Sequence, residues 1–77
     1  MALSLGSIPS RAAVVTPSDT IGASGGALYV GGAGNVSLLT GGGDTVVFIG
    51  VVPGTILPIQ FLRVNAATTA TNLIRLW

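Results

Sequence analysis

The sequence contains no cysteine, histidine, lysine or glutamate. Without cysteine there is no disulfide and no thiolate metal site, and the redox compartment leaves no mark on the composition. Without histidine, lysine or glutamate, acid–base chemistry falls to Asp19, Asp44 and Tyr29 alone. The two aspartates stand in Asp19-Thr20-Ile21 and Asp44-Thr45-Val46. Both runs lack the glycine of the Asp-Thr/Ser-Gly motif with which small dimeric proteases assemble a carboxylate pair. Each aspartate reads instead as a turn residue whose carboxylate accepts nearby backbone N–H groups. The glycine runs hold neither a G-x-G-x-x-G nor a G-K-[ST] phosphate cradle. The expectation is a protein with no catalytic residues, no cofactor and no metal site, and not an enzyme.

Charge is almost as scarce. Three arginines and two aspartates, Arg11, Arg63, Arg75, Asp19 and Asp44, make up 6% of the chain, against roughly 25% in a typical soluble domain. Three scattered arginines cannot neutralise a run of phosphates, so nucleic acid is not an expected partner. Nor can five charges in 77 residues keep the surface of a monomer soluble. Most of that surface is expected to be covered by other copies or by partners. The N-terminus "MALSLGSIPSR" has no basic n-region and no long apolar run, so it does not read as a secretory signal, and cytoplasmic synthesis is the expectation. In the same light the sequon Asn35-Val36-Ser37 reads as coincidental.

What the chain does have is glycine, 12 of 77 residues, together with four prolines, set among Val, Ile, Leu and Thr. No window keeps a helical apolar period without meeting Gly or Pro; residues 66–72 come nearest. The pattern predicts an all-β domain of about six strands, a small antiparallel sandwich or barrel over residues 11–77, preceded by an extended arm over residues 1–10. The strands expected are Arg11–Thr16, Ala27–Gly31, Asn35–Thr40, Asp44–Ile49, Thr55–Val64 and Asn72–Trp77. "GGAGN" and "GGGD" supply the positive-φ residues of tight hairpin turns.

"TVVFIGVVPGTILPIQFL", Thr45–Leu62, is 18 residues long without one charge. A membrane span needs about 20 apolar residues in an unbroken helix, and Pro53-Gly54 and Pro58 interrupt this one. It reads as a strand, a turn and a second strand, and no membrane is expected as a partner. Pro58 lacks an N–H and belongs at a sheet edge or bulge. In Thr55–Val64 one face carries Leu57, Ile59, Phe61 and Arg63, and the other Ile56, Pro58, Gln60, Leu62 and Val64. Each large apolar side chain left in water forgoes about 1.5–3 kcal/mol. The second face therefore calls for a cover, either another chain or a barrel closing on itself. Arg63 reads as an exposed edge residue or as a charge paired across an interface with Asp19 or Asp44. Trp77, the last residue, reads as core filler or as an anchor on a neighbouring subunit.

The ordered runs Val15–Thr20 ("VTPSDT"), Ala27–Val36 ("ALYVGGAGNV"), Gly42–Phe48 ("GGDTVVF"), Pro53–Pro58 ("PGTILP"), Arg63–Val64 and Ala70–Trp77 ("ATNLIRLW") resemble the small spike base proteins of tailed phages, prophages and gene transfer agents. The resemblance covers roughly residues 14–77. It departs at Pro53-Gly54, which lacks the spacer residue often found there, and in the uncharged, glycine-rich segment after Thr20. What it implies is a virion protein of the outer capsid surface: an oligomeric head spike base or decoration (cement) protein. As partners it implies further copies of itself as a pentamer or trimer, the major capsid protein and a spike fibre. The residues expected at the oligomer or capsid interface are Leu3, Leu5, Ile8, Ile56, Leu57, Ile59, Phe61, Leu62, Arg63 and Trp77. Two other classes stand beside this reading, a membrane-active hydrophobic peptide and a small receptor- or glycan-binding module.

Overall fold

The computed structural model describes residues 9–77. Among them are seven strands: β1 (Ala12–Val15), β2 (Ala27–Gly32), β3 (Gly34–Thr40), β4 (Thr45–Val51), β5 (Thr55–Leu57), β6 (Phe61–Val64) and β7 (Thr71–Leu76). They form two antiparallel sheets, one ordered β1-β7-β2-β5 and the other β4-β3-β6. The expected all-β sandwich is what the chain adopts. The weak helix candidate at residues 66–72 is instead a turn running into β7.

The Thr55–Val64 strand of the sequence analysis is two strands in different sheets. Pro58–Gln60 carries the chain across the sandwich from β5 to β6. Pro58 accordingly stands outside any ladder, as its missing N–H requires. "GGAGN" is likewise no hairpin. Only Ala33 separates β2 from β3, and the backbone passes there from the four-stranded to the three-stranded sheet. At Gly34 φ is +153°, and a Cβ would stand 2.6 Å from the backbone N of Ala70 and 2.8 Å from its Cα. No other residue fits this crossing. "GGGD" does close a hairpin, β3 to β4, with Gly43 N–H donating to Thr40 O (3.0 Å) and Asp44 N–H to Thr40 Oγ1 (3.1 Å). Gly43 takes φ +94° there. The third crossing, Val52–Gly54, is a turn with Thr55 N–H donating to Val52 O (3.3 Å) and Gly54 at φ +84°. Proline second and a positive-φ glycine third is the type II pattern.

The core lies between the sheets: Val15, Leu28, Val30, Leu73 and Ala70 from one side, Val36, Leu38, Val51, Phe61 and Val64 from the other. Two irregularities fill it. The register with β3 shifts by one residue on β4 between Phe48 and Val51, and again on β6 between Phe61 and Arg63. A bulge turns two residues three apart toward the same face. Phe48 with Val51, and Phe61 with Val64, thus all reach the core.

The topology gives the sandwich two ends and two sides. At one end lie the Gly41–Gly43 turn, Gln60 and Trp77. Gly41 N–H donates to Gln60 O (2.9 Å). The crossings at Ala33 and Val52–Gly54 and the 66–70 loop occupy the other end. One side is formed by β4 and β5, joined by the Val52–Gly54 turn. The opposite side is formed by β1 and by residues 18–25, which run along β6 through Ser18 N–H to Val64 O, Ala23 N–H to Leu62 O and Gly25 N–H to Phe61 O (2.8–3.1 Å). Phe61 is the largest side chain fully enclosed by this arrangement. Phe61→Ala should lower unfolding free energy by about 3–5 kcal/mol, read as a fall in the urea midpoint at fixed protein concentration. An unchanged midpoint would show that Phe61 is not the centre of the core.

Candidate assembly surfaces

The four-stranded sheet carries an unbroken apolar row on its outer face. Val14 on β1 stands opposite Ile74 on β7, Ile74 opposite Tyr29 on β2, and Tyr29 opposite Ile56 on β5. Directly opposed residues share a face, so the row runs the width of the sheet. Val14 is 77% exposed and Ile56 49%. No charged residue interrupts it.

The second surface is β4. Sheet edges in soluble proteins are normally blunted by charge, proline or a covering segment. β6 has such a cover in residues 18–25, but among the described residues β4 has none. It pairs with β3 alone among the described residues, and from Thr45 to Val51 it carries neither charge nor proline. Both its faces are apolar. Val47 and Ile49 point outward, Ile49 75% exposed, while Val46 and Phe48 point toward the open end of the inter-sheet space. There they line a groove of about 1020 Å³ together with Thr40, Asp44, Pro58 and Ile59.

The third feature is the C-terminal Trp77, 38% exposed. The strand pairing of β1 with β7 continues past the strand ends. Trp77 N–H donates to Arg11 O (2.9 Å) and Ser10 N–H to Trp77 O (3.3 Å). Two cations stand over the indole, the Arg75 guanidinium 4.0 Å from the ring centroid and that of Arg11 at 5.5 Å. Arg75 is itself fixed by a 2.6 Å hydrogen bond from Nη1 to Ser24 O.

The expected interface residues are not gathered in one place. Ile56 and Leu62 are exposed, on different sheets; Leu57 and Ile59 are half-buried and pack on the core. Phe61 belongs to the chain's own core, because the bulge on β6 turns it inward, and its side chain presents no surface. Arg63 is half-buried on the outer face of the three-stranded sheet, donating from Nε to Asn65 Oδ1 (2.8 Å), while Asn65 Nδ2 donates to Ser37 Oγ (3.1 Å). Leu3, Leu5 and Ile8 lie outside the described residues. Val14, Ile21, Val47 and Ile49 were not singled out from the sequence. The clue was present in "TVVFIG", where both alternating sets, Val46 with Phe48 and Val47 with Ile49, are apolar.

Nothing in this arrangement assembles a reaction centre from the acid groups. Asp19 accepts the Ala66 N–H (2.9 Å) at the crossing end, whereas Asp44 closes the hairpin at the other. Asn35 Oδ1 is engaged by Gly50 N–H (3.0 Å) beside the buried Val36 and Ser37. The geometry is that of a small sandwich whose conspicuous surfaces, among the described residues, are apolar sheet, not polar cleft.

No protein-family model matches the chain, and no curated protein does. Among solved structures it is similar to a chain in the capsid of a native gene transfer agent (GTA) particle, computed with C5 symmetry. The identity is 37% over 99% of this chain and 92% of that one, with a TM-score of 0.82. The chain belongs to the same family as that capsid component.

Removing the main cover of Trp77 should be visible, since it is the only tryptophan in the chain. Arg75→Ala should red-shift its fluorescence maximum and lower stability by about 0.5–2 kcal/mol. Arg11→Ala, at the longer distance, should do less. Equal spectra for wild type and Arg75→Ala would show that the stack does not form.

Proposed function

We propose that this chain is a virion structural protein, a homo-oligomeric head spike base or decoration subunit on the outer capsid surface. In this role it is anchored to the major capsid protein and supports a spike fibre. The observation that carries the reading is the uncovered apolar sheet, the Val14–Ile74–Tyr29–Ile56 row and the unprotected β4 edge, in a chain with five charges. A free monomer with that surface would associate. The kinship with a chain of a GTA capsid computed with C5 symmetry supports the same reading, and a five-fold ring is the arrangement proposed.

Attachment to the capsid is apolar and backbone-mediated in this proposal, because exposed ion pairs contribute only about 0–1 kcal/mol each. The arm Met1–Pro9 is the proposed lace. It offers Leu3, Leu5 and Ile8, and nine extended residues reach about 30 Å, enough to add a strand to a sheet edge of a neighbour. The chain enters the sandwich beside Trp77, through the Ser10–Trp77 hydrogen bond, so the lace would leave from the hairpin end.

The purified protein should sediment as a homo-oligomer at micromolar concentration and move little between low and high salt. A monodisperse 7.6 kDa species would sink the assembly reading. Deleting residues 2–9 should leave that oligomer folded and abolish decoration of particles. Wild-type occupancy of the truncated protein after a high-salt wash would remove the arm from the anchor.

A further inference from the structure

Alternate N–H and C=O groups of a strand point to either side of it, and among the described residues β4 pairs with β3 alone. Half of its backbone groups are therefore free to take a further strand. The edge is seven residues long, Thr45–Val51. On the side facing the other sheet, Val46 and Phe48 line the groove together with Ile59, whereas Val47 and Ile49 point outward. What fits such an edge is an extended, uncharged segment of similar length that carries its bulk on one face.

The chain holds a segment of this chemistry in residues 2–8, which lie outside the described residues. "ALSLGSI" has no charge and no proline. Leu3 and Leu5 alternate with Ala2, Ser4 and Gly6, so an extended chain there sets large apolar groups on one side and small ones on the other. Pro9, which follows, has no N–H to give and ends a ladder at that point. The described chain also begins at the matching end of the molecule. Ser10 N–H donates to Trp77 O (3.3 Å), and Trp77 borders a shallow depression with Gly41 and Gln60. Those two residues line the β4 groove as well.

Reach decides whose edge is filled. β1, into which the arm leads, and β5 stand at opposite edges of the four-stranded sheet, three strand spacings or about 14 Å apart. β4 lies on the β5 side, joined to it by the Val52–Gly54 turn. An extended chain advances about 3.3–3.6 Å per residue. Crossing to the chain's own β4 thus consumes about half of residues 2–8 and leaves too few to cover the edge. On β4 of another copy the whole segment is available.

Resting on the oligomeric reading above, we infer that residues 2–8 of one copy add as a strand to β4 of another, with Leu3 and Leu5 entering the groove against Val46 and Phe48. The unblunted edge and the apolar groove are then covered together in the assembled protein. Decoration depends on the arm in this arrangement because copies laced to one another hold the capsid through several contacts at once.

The absence of cysteine from the chain makes the contact directly testable. Ser4→Cys marks the small face of the arm, and Ile49→Cys marks the outer face of β4, where the side chain is exposed. The two full-length variants, co-expressed and treated with a short bismaleimide, should give a covalent dimer containing one of each, several-fold above the product of either variant alone. Hydrogen exchange supplies a second measurement. The β4 amides that do not pair with β3 should exchange roughly ten-fold faster once residues 2–9 are deleted, while those of β2 and β7 keep their rates. Leu3→Asp with Leu5→Asp, which changes no residue of the sandwich, should have the same effect. A wild-type monomer in sedimentation would overturn the oligomeric reading itself. A wild-type oligomer that gives no mixed dimer, or whose β4 amides exchange alike with and without the arm, would overturn the arm contact alone. A Ser4→Cys/Ile49→Cys double variant that links within one chain, while the mixture gives no dimer, would assign the arm to its own edge and overturn the exchange between copies.

Discussion

Between Gly32 and Phe61 the backbone changes sheet three times, through Ala33, through Val52–Gly54 and through Pro58–Gln60, and the architecture depends on these crossings. Each must turn the chain through the thickness of a sandwich in at most three residues. Such a turn needs backbone conformations or close approaches that ordinary residues refuse. Gly34 passes against the Ala70 backbone, Gly54 holds the positive-φ place of its turn, and Pro58 ends a strand by lacking a donor. Because the crossings are so short, neighbours in sequence lie in opposite layers. The two sheets are stitched together without a disulfide, one of the usual supports of so small a domain.

The same crossings explain which parts of the fold were legible from sequence. Glycine and proline spacing with β-branched residues was enough for an all-β domain, and most strand positions follow from it. What alternation could not reveal was that Thr55–Val64 divides between two sheets. Read as one strand, its apolar residues fill both faces and demand an outside cover. Part of that demand is met internally, since the bulges on β4 and β6 turn Phe48 with Val51, and Phe61 with Val64, into one core. A one-residue shift in register leaves no trace in composition. Phe61 therefore looked like an interface residue and belongs to the interior.

The remainder of the demand is not met internally. After the core is filled, Val14, Val47, Ile49, Ile56 and Leu62 are still exposed. Ile56 and Leu62 were among the residues expected at an interface, whereas Val14, Val47 and Ile49 were hidden from sequence because their exposure depends on which strand ends at which edge, a property of sheet order. Strand order places β4 at the rim of one sheet and β1 at the rim of the other, on opposite sides of the sandwich. Val36 in the central strand fills the core, and Val47 on the outer face of β4 is left exposed.

The uneven treatment of the edges separates chance exposure from built exposure. The chain spends residues 18–25 covering β6, with four backbone hydrogen bonds and the Asp19 carboxylate capping Ala66 N–H nearby. A fold able to cover that edge at the cost of ordering a glycine-rich loop is not short of means. Among the described residues it leaves β4 bare, uncharged and apolar on both faces, and nothing in the local sequence required this, since one lysine at Val47 or Ile49 would blunt the edge without touching the core. Edge protection is thus applied to β6 and, among the described residues, withheld from β4. Charge scarcity fits the assembly proposed above: a subunit covered by copies of itself would have little water-facing area on which charge is useful, and this chain carries five charges.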